Sequence, residues 1–303
     1  MNTAAPGWHP GERALQARAG VSARMADVGS RVLRDHMPDQ HRSFFTLLPF
    51  LLAGTVDASG QPRVSLFTGA PGFAHSPQPR VLRVDAAAGA RGHADEDLAV
   101  GAPVGLLGIE AHTGRRNRMN GWIEALDDRG FAVRVGQSFG NCPKYIHPRQ
   151  AVHGAAGGPV EHATHGALDA AGQALVAAAD TFFIATAHPD ALRSDDPVAG
   201  VDVSHRGGPA GFVRVQDAAT LLVPDYVGNS FFNTFGNLQL EPRCALLFID
   251  FATGERLHLV ARGEVLWEGP EREALPGALR VLRLSVSEVR RTTGGLPLRW
   301  LPA

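Results

Sequence analysis

The spacing of apolar residues divides the chain into a helical start and a longer β-rich remainder. Between residues 11 and 37, apolar side chains recur at intervals of three and four, which is the period of an amphipathic helix. Pro38 ends this predicted helix because proline cannot continue a helical hydrogen-bond pattern. A second helix is predicted over residues 39–48.

From residue 49 onward, patterns typical of strands replace the helical period. The predicted strands cover residues 50–56, 63–67, 81–84, 104–109, 120–126 and 131–135. Turns rich in Gly, Pro and Asp separate them, which favours an antiparallel, mainly β fold over a βαβ arrangement. Residues 147–166, rich in Ala, Gly and His, predict a linker. A short helix over 167–180 and a strand over 181–186 then begin a second β region.

Two blocks of the first β region recur in the second at nearly one offset. Residues 65–73 align with 204–212 at an offset of 139, and residues 106–110 align with 246–250 at 140. The alternative is that two unrelated hairpins share turn chemistry. A duplicated β unit would bury one face against its copy, so we expect tandem Greek-key barrels packed as an internal pseudo-dimer, with ligands in the cleft between them.

This organisation predicts four parts. They are an N-terminal helical segment (1–48), a first barrel unit (49–150), a linker (151–172) and a second barrel unit (173–303).

Composition excludes several classes of protein. The chain is 44% hydrophobic, which argues against disorder, and its 29 basic and 30 acidic residues lack the positive excess of a nucleic-acid binder. No apolar run reaches the length of a membrane span. The two cysteines, Cys142 and Cys244, cannot form a disulfide framework. We therefore expect a cytoplasmic protein that binds neither nucleic acid nor membrane.

A strand-to-turn segment of the second unit carries groups suited to an anion. Ser204 offers a hydroxyl, Arg206 a guanidinium fork, and Gly207 a backbone N–H that no side chain obstructs.

Three asparagines farther along the chain add to this segment. Asn229, Asn233 and Asn237 recur every four residues, so on one helix they would share a face, flanked by Thr234 and capped by Asn229 and Ser230. A capped surface helix is the alternative interpretation.

The runs at 201–215, 224–229 and 233–237 together resemble a signature of the pyridoxamine 5′-phosphate oxidase-like FMN-binding split barrels. The likeness extends over residues 40–300 and is greatest to the two-barrel flavin-nucleotide-binding branch. It implies six-stranded Greek-key split barrels, FMN at the inter-barrel interface, and redox chemistry on a small molecule with NAD(P)H as an electron donor. The cofactor contacts that it implies are Ser204, His205, Arg206, Gly207, Tyr226, Asn229, Asn233, Thr234 and Asn237.

The first unit departs from this signature. Leu66 and Phe67 stand where the second unit has His205 and Arg206. We therefore expect one flavin per chain, anchored by the second unit and covered by the first. A further homodimer stays open.

The first unit offers its own candidates for the substrate or lid side of the site. Arg115, Arg116 and Arg118 form either a cationic lip or a solvated turn. Cys142 is either a small buried side chain or a thiol facing the flavin, and Lys144 is the chain's single lysine. We predict no metal site, because no cysteine or carboxylate cluster completes the linker histidines.

The function expected from the resemblance is that of an FMN-dependent oxidoreductase. The alternative is a flavin- or haem-binding protein without turnover, serving in sensing, storage or electron relay.

Overall fold

The computed structural model describes residues 7–88 and 94–302, and its first part is helical. The helices are α1 (Pro10–Arg18), α2 (Ser22–Val32) and α3 (Asp39–Thr46). The single helix predicted over 11–37 is therefore two, because Gly20 takes the left-handed φ of 70° and turns the chain between them. No helix within the described residues is both long and apolar enough to traverse a bilayer.

Unit 1 is a seven-stranded antiparallel sheet in the order β2-β1-β5-β6-β7-β4-β3. Its elements are β1 (Phe50–Val56), β2 (Pro62–Thr68), β3 (Ala74–Gln78), β4 (Val81–Val84), α4 (Ala94–Asp97), β5 (Pro103–Glu110), β6 (Arg115–Asp127) and β7 (Gly130–Gly140). All six predicted strands are present. The strand predicted from residue 120 begins five residues earlier, at Arg115.

The stretch predicted as a linker contains two strands, β8 (Arg149–His153) and β9 (Glu161–His165). Every residue of β9 is exposed, and the strand is held by backbone pairing to residues 289–293 of the second sheet. Backbone hydrogen bonds need no apolar side chains, which is why the hydrophobic pattern gave no sign of it.

Unit 2 repeats the strand order of unit 1. Its elements are α5 (Ala170–Ala178), β10 (Thr181–Ala187), β11 (Val201–Gly207), β12 (Arg214–Asp217), β13 (Thr220–Asp225), α6 (Asn233–Leu240), β14 (Arg243–Ile249), β15 (Arg256–Leu266), α7 (Pro270–Glu273), β16 (Arg280–Thr293) and β17 (Leu298–Pro302). The order is β11-β10-β14-β15-β16-β13-β12, with β9 added beside β16. The predicted mainly β fold of tandem units is confirmed.

The two units pack face to face through their first strands. β1 and β10 are buried at every position, because alternate side chains point into the unit's own core and toward the other unit. A shared apolar cluster contains Leu52 and Leu107 of unit 1 with Phe183 and Leu247 of unit 2. At Gly105 an added Cβ would lie 2.3 Å from the Val201 carbonyl oxygen, so glycine permits this close approach.

Candidate functional site

A polar cleft of about 170 Å³ lies between the units, where the ends of β6 and β7 face β11 and the start of α6. Eight of the nine predicted cofactor residues line it; the exception is Asn237. Of the candidates from unit 1, Arg116, Arg118, Cys142 and Lys144 line it as well. The structure thus brings together predicted residues that lie up to 118 positions apart along the chain (Arg116 to Thr234).

Arg115 does not belong to this cleft. Its guanidinium lies 4.9 Å from the centre of the Phe44 ring and 3.9 Å from a Glu110 carboxylate oxygen. Because β6 begins at Arg115, side chains alternate between its two faces, and Arg116 and Arg118 share the face that Arg115 does not. Residues 115–118 are therefore strand and not a solvated turn, and of the three arginines only Arg116 and Arg118 line the cleft.

On the unit 2 side, Arg206 is paired within the protein. Its Nη1 lies 2.9 Å from Asp225 Oδ1, and Arg280 Nε lies 2.8 Å from Asp225 Oδ2. Burial raises the pKa of Asp225 despite its two cationic neighbours, and burial lowers the pKa of Arg206. One carboxylate therefore faces two guanidinium groups, which leaves a positive charge. Arg206 Nε is buried without a hydrogen-bond acceptor.

On the unit 1 side, Arg118 reaches across the interface. Its Nη1 lies 2.8 Å from Asp202 Oδ1, and its Nη2 donates to Ser204 Oγ. Arg116 Nη1 lies 2.8 Å from His205 Nδ1, and burial together with the charge of Arg118 lowers the pKa of Arg116 to about 10. Within the described ranges, no carboxylate lies within 4 Å of the Arg116 guanidinium, and its Nε has no acceptor.

The contact with Arg116 fixes the state of His205. A guanidinium nitrogen can only donate, so His205 Nδ1 accepts and the ring proton sits on Nε2. Burial, reinforced by Arg116 and Arg206, lowers the pKa of His205 well below its ordinary value. The imidazole is accordingly neutral.

The loop before α6 differs from the predicted helix. The helix begins at Asn233, and both Ser230 (φ 64°) and Phe232 (φ 65°) take the left-handed conformation. Asn229 therefore lies outside the helix, where its Oδ1 accepts from the Phe231 N–H at 3.1 Å. The shared helical face predicted for three asparagines holds only for Asn233 and Asn237.

Two further polar residues of α6, Thr234 and Asn237, form hydrogen bonds with side chains of unit 2 around the cleft. Thr234 Oγ1 donates to Ser204 Oγ at 3.0 Å. Asn237 Nδ2 donates to Asp202 Oδ2 at 2.9 Å and to Thr186 Oγ1 at 3.2 Å. Asn237 thus orients the carboxylate that holds Arg118, without lining the cleft itself.

Sequence reasoning missed the contribution of α1 and α2, which contact the loop before α6. Gln16 Nε2 donates to the Phe231 carbonyl at 3.2 Å, and Asn233 Nδ2 donates to Glu12 Oε1. At Gly11 an added Cβ would lie 2.2 Å from the Gly236 carbonyl oxygen, so α1 and α6 are in backbone contact. Burial raises the pKa of Glu12 well above its usual range. No sequence pattern indicated this role, because a glutamate in a first helical turn is an ordinary capping residue.

The segment after β7 covers the cleft from unit 1. Tyr145 takes the left-handed φ of 63°, its ring centre lies 5.5 Å from that of Tyr226, and its hydroxyl donates to the Val227 carbonyl at 3.2 Å. Asn141 Nδ2 is buried in the lining without a partner, and Cys142 is half-buried. This segment carries Cys142 and Lys144, two of the predicted substrate or lid candidates, and both line the cleft.

Two antiparallel sheets of one strand order, packed around a cationic cleft, define a duplicated split-barrel fold with a candidate site at its interface. Residues 168–292 match the family model described as pyridoxamine 5′-phosphate oxidase. The predicted family resemblance is thereby confirmed for unit 2.

Solved structures of low identity also match. An FMN-binding protein from Syntrophomonas wolfei is 10% identical, with 39% of this chain and 82% of that chain covered and a TM-score of 0.28. An FAD-binding protein from Mesorhizobium loti is 14% identical, with 44% and 98% covered and a TM-score of 0.29. A pyridoxinephosphate oxidase family protein from Clostridium acetobutylicum is 12% identical, with 43% and 89% covered and a TM-score of 0.30. No curated protein matches the chain.

Proposed function

We propose that the cleft binds FMN and that the chain is an FMN-dependent oxidoreductase of small molecules, with NAD(P)H as electron donor. The observation that carries the proposal is an uncompensated positive charge. Four buried or half-buried arginines, from both units, share two carboxylates there. A phosphate group would supply the missing negative charge. The family match of unit 2 supports a flavin phosphate as its source.

The residues present fit such a group. The buried Nε atoms of Arg116 and Arg206 and the Nδ2 of Asn141 lack acceptors, and each orphaned donor costs free energy that an anion would recover. The first backbone N–H groups of α6 have no partners within the helix and favour negative charge at its start. Ser204 and Thr234 add hydroxyls beside that start.

Bound FMN would supply one- and two-electron redox chemistry. The protein's residues would hold it and exclude water. Arg206, Ser204 and Thr234 would hold the phosphate, and Arg116 with Asn141 would face it from unit 1. His205 stays neutral, and its Nδ1 accepts from Arg116 and so orients that guanidinium beside the cleft.

Comparison of FMN with riboflavin, which lacks the phosphate, tests the proposal. In fluorescence titrations we expect FMN to bind at least tenfold more tightly than riboflavin. Arg206→Ala should weaken FMN binding by about tenfold to a hundredfold, the equivalent of one charge-assisted hydrogen bond of about 1.5–3 kcal/mol. Arg214→Ala, which removes an exposed arginine of the same unit, is the matched control and should leave the affinity unchanged.

Equal affinity for FMN and riboflavin, or an unchanged FMN affinity in Arg206→Ala, would overturn the proposal that the cleft binds the flavin phosphate.

Turnover is tested separately by adding NADPH or NADH to the FMN-loaded protein without oxygen. Loss of the flavin's visible absorbance is expected of a reductase, whereas a flavin that stays oxidised with both donors contradicts the NAD(P)H-dependent activity.

A further inference from the structure

A second cavity, of about 350 Å³, lies in the interface beside the cleft and is called the apolar pocket here. Its walls are mainly aromatic and aliphatic. They include Phe50, Ile109, Ile146, Phe183, Phe251 and Trp300. Neither the family signature nor the proposed cofactor site uses these residues.

The outer wall of the apolar pocket is the ribbon of β8 and β17. Ala151 pairs with Trp300 across the ribbon, so both side chains lie on one face, and both line the pocket. The Trp300 ring centre is 5.1 Å from that of Phe251 and 6.4 Å from that of Phe50. An isolated two-stranded ribbon is marginally stable, so these contacts hold it in place. The ribbon thus closes a space that the two barrel units leave open.

The charged side chains that line the apolar pocket, Arg149 and Glu110, are already paired. The Arg149 guanidinium lies 3.8 Å from the centre of the Phe251 ring, and its Nη2 lies 2.5 Å from Asp180 Oδ2. Glu110 accepts from the Thr113 hydroxyl and lies 3.9 Å from Arg115. The pocket therefore favours an uncharged ligand, in contrast to the cationic cleft.

A thin partition separates the apolar pocket from the cleft. His205 lines both, and the adjacent segment places Tyr145 in the cleft and Ile146 in the pocket. At Gly207 an added Cβ would lie 2.1 Å from the Tyr145 carbonyl oxygen, so this segment packs directly on β11. The proton on His205 Nε2 has no acceptor among the described residues. The partition thus presents one free hydrogen-bond donor.

We propose that the apolar pocket binds an uncharged, planar aromatic molecule of about two fused rings, whose hydrogen-bond acceptor contacts His205 Nε2. Aromatic walls favour a flat ring system, and the volume falls in the range typical of small-molecule sites. That this molecule is the substrate rests on the proposed function, because the pocket adjoins the proposed flavin site through His205.

The test uses 2-acetonaphthone as the probe and 2-ethylnaphthalene as the matched ligand without an acceptor, each titrated into flavin-free and FMN-loaded protein. Ala151→Trp should fill the pocket and weaken 2-acetonaphthone binding at least tenfold while FMN affinity changes less than twofold. Ala163→Trp, on the exposed strand β9, is the control and should bind the probe normally. His205→Phe should remove the preference for 2-acetonaphthone, which we expect to be about fivefold from one hydrogen bond.

Equal probe affinity in the two tryptophan variants would overturn the proposal, as would displacement of the probe by FMN. These outcomes are independent of the FMN and riboflavin titrations. A protein that binds the probe in this pocket but not FMN would refute the proposed function alone.

Discussion

The two units share one strand order, yet they contribute different side chains to the cleft between them. The difference begins at equivalent positions of β2 and β11, where Phe67 of unit 1 corresponds to Arg206 of unit 2. Phe67 is 1% exposed and packs 5.3 Å from the Phe131 ring in the core of its unit. Arg206 instead pairs with Asp225. The same backbone position thus carries a core residue in one copy and a residue of the candidate site in the other.

On β6 and β15 the roles of the two units are reversed. Arg116 and Arg118 of unit 1 enter the cleft, whereas Arg256, the counterpart of Arg116, donates to the carbonyls of Gly254 and Gly294 in a turn. Each copy therefore contributes a different half of the candidate site.

The largest expected effect comes from removing Asp225, the carboxylate of unit 2 that lies between Arg206 and Arg280. Asp225→Asn leaves Arg206 and Arg280 buried without a negative partner, and breaking such a buried pair costs about 3–5 kcal/mol. Urea unfolding should show this loss in the free energy of unfolding. Asp195→Asn, at an exposed loop position, should change it by less than about 0.5 kcal/mol. A loss no larger than that of the control would mean that the pairing of Asp225 with Arg206 and Arg280 does not stabilise the fold.

A smaller effect is expected from a substitution at the contact between α1 and α6. This substitution tests whether unit 2 depends on the N-terminal helices. Gly11→Ala places a Cβ against the Gly236 carbonyl and should lower the free energy of unfolding by about 1–3 kcal/mol, although alanine is the better helix former. FMN binding should weaken as the loop before Asn233 shifts.

Ala14→Gly is the matched control for that prediction. It sits on the exposed side of the same helix and should cost about 1 kcal/mol through helix propensity alone. Its FMN affinity should equal that of the original protein. If both variants weaken FMN binding equally, the effect reflects helix stability and not the contact with Gly236.

The smallest effect is a pH dependence of the free energy of unfolding that arises from His205. Unit 1 has Leu66 at the equivalent position, and leucine does not titrate. The pKa of His205 in the folded protein is well below its ordinary value of 6.5, so below pH 6.5 the unfolded chain binds more protons and stability falls as pH falls. His205→Leu installs the residue of unit 1. Between pH 7.5 and 5.5, the variant should lose about 1 kcal/mol less of its free energy of unfolding. Parallel losses in urea titrations at the two pH values would show that His205 does not titrate in this way.

The sequence by itself determined the fold class, the duplication and most of the cleft. Strand periodicity is local, and the offset between units 1 and 2 placed Leu66 and Phe67 correctly against His205 and Arg206. Residues such as Ser204, within β11, and Thr234, within α6, were identifiable because polar groups stand out against an apolar pattern.

Only the tertiary structure decided which charges pair and which elements cover the site. Asp225, Arg280 and Glu12 have ordinary surroundings in the sequence, and their burial depends on contacts between distant segments. The ribbon of β8 and β17 was likewise invisible, because its pairing uses backbone groups that every residue carries. Local patterns specify how a segment folds, whereas a binding site is specified by the surfaces that meet after folding.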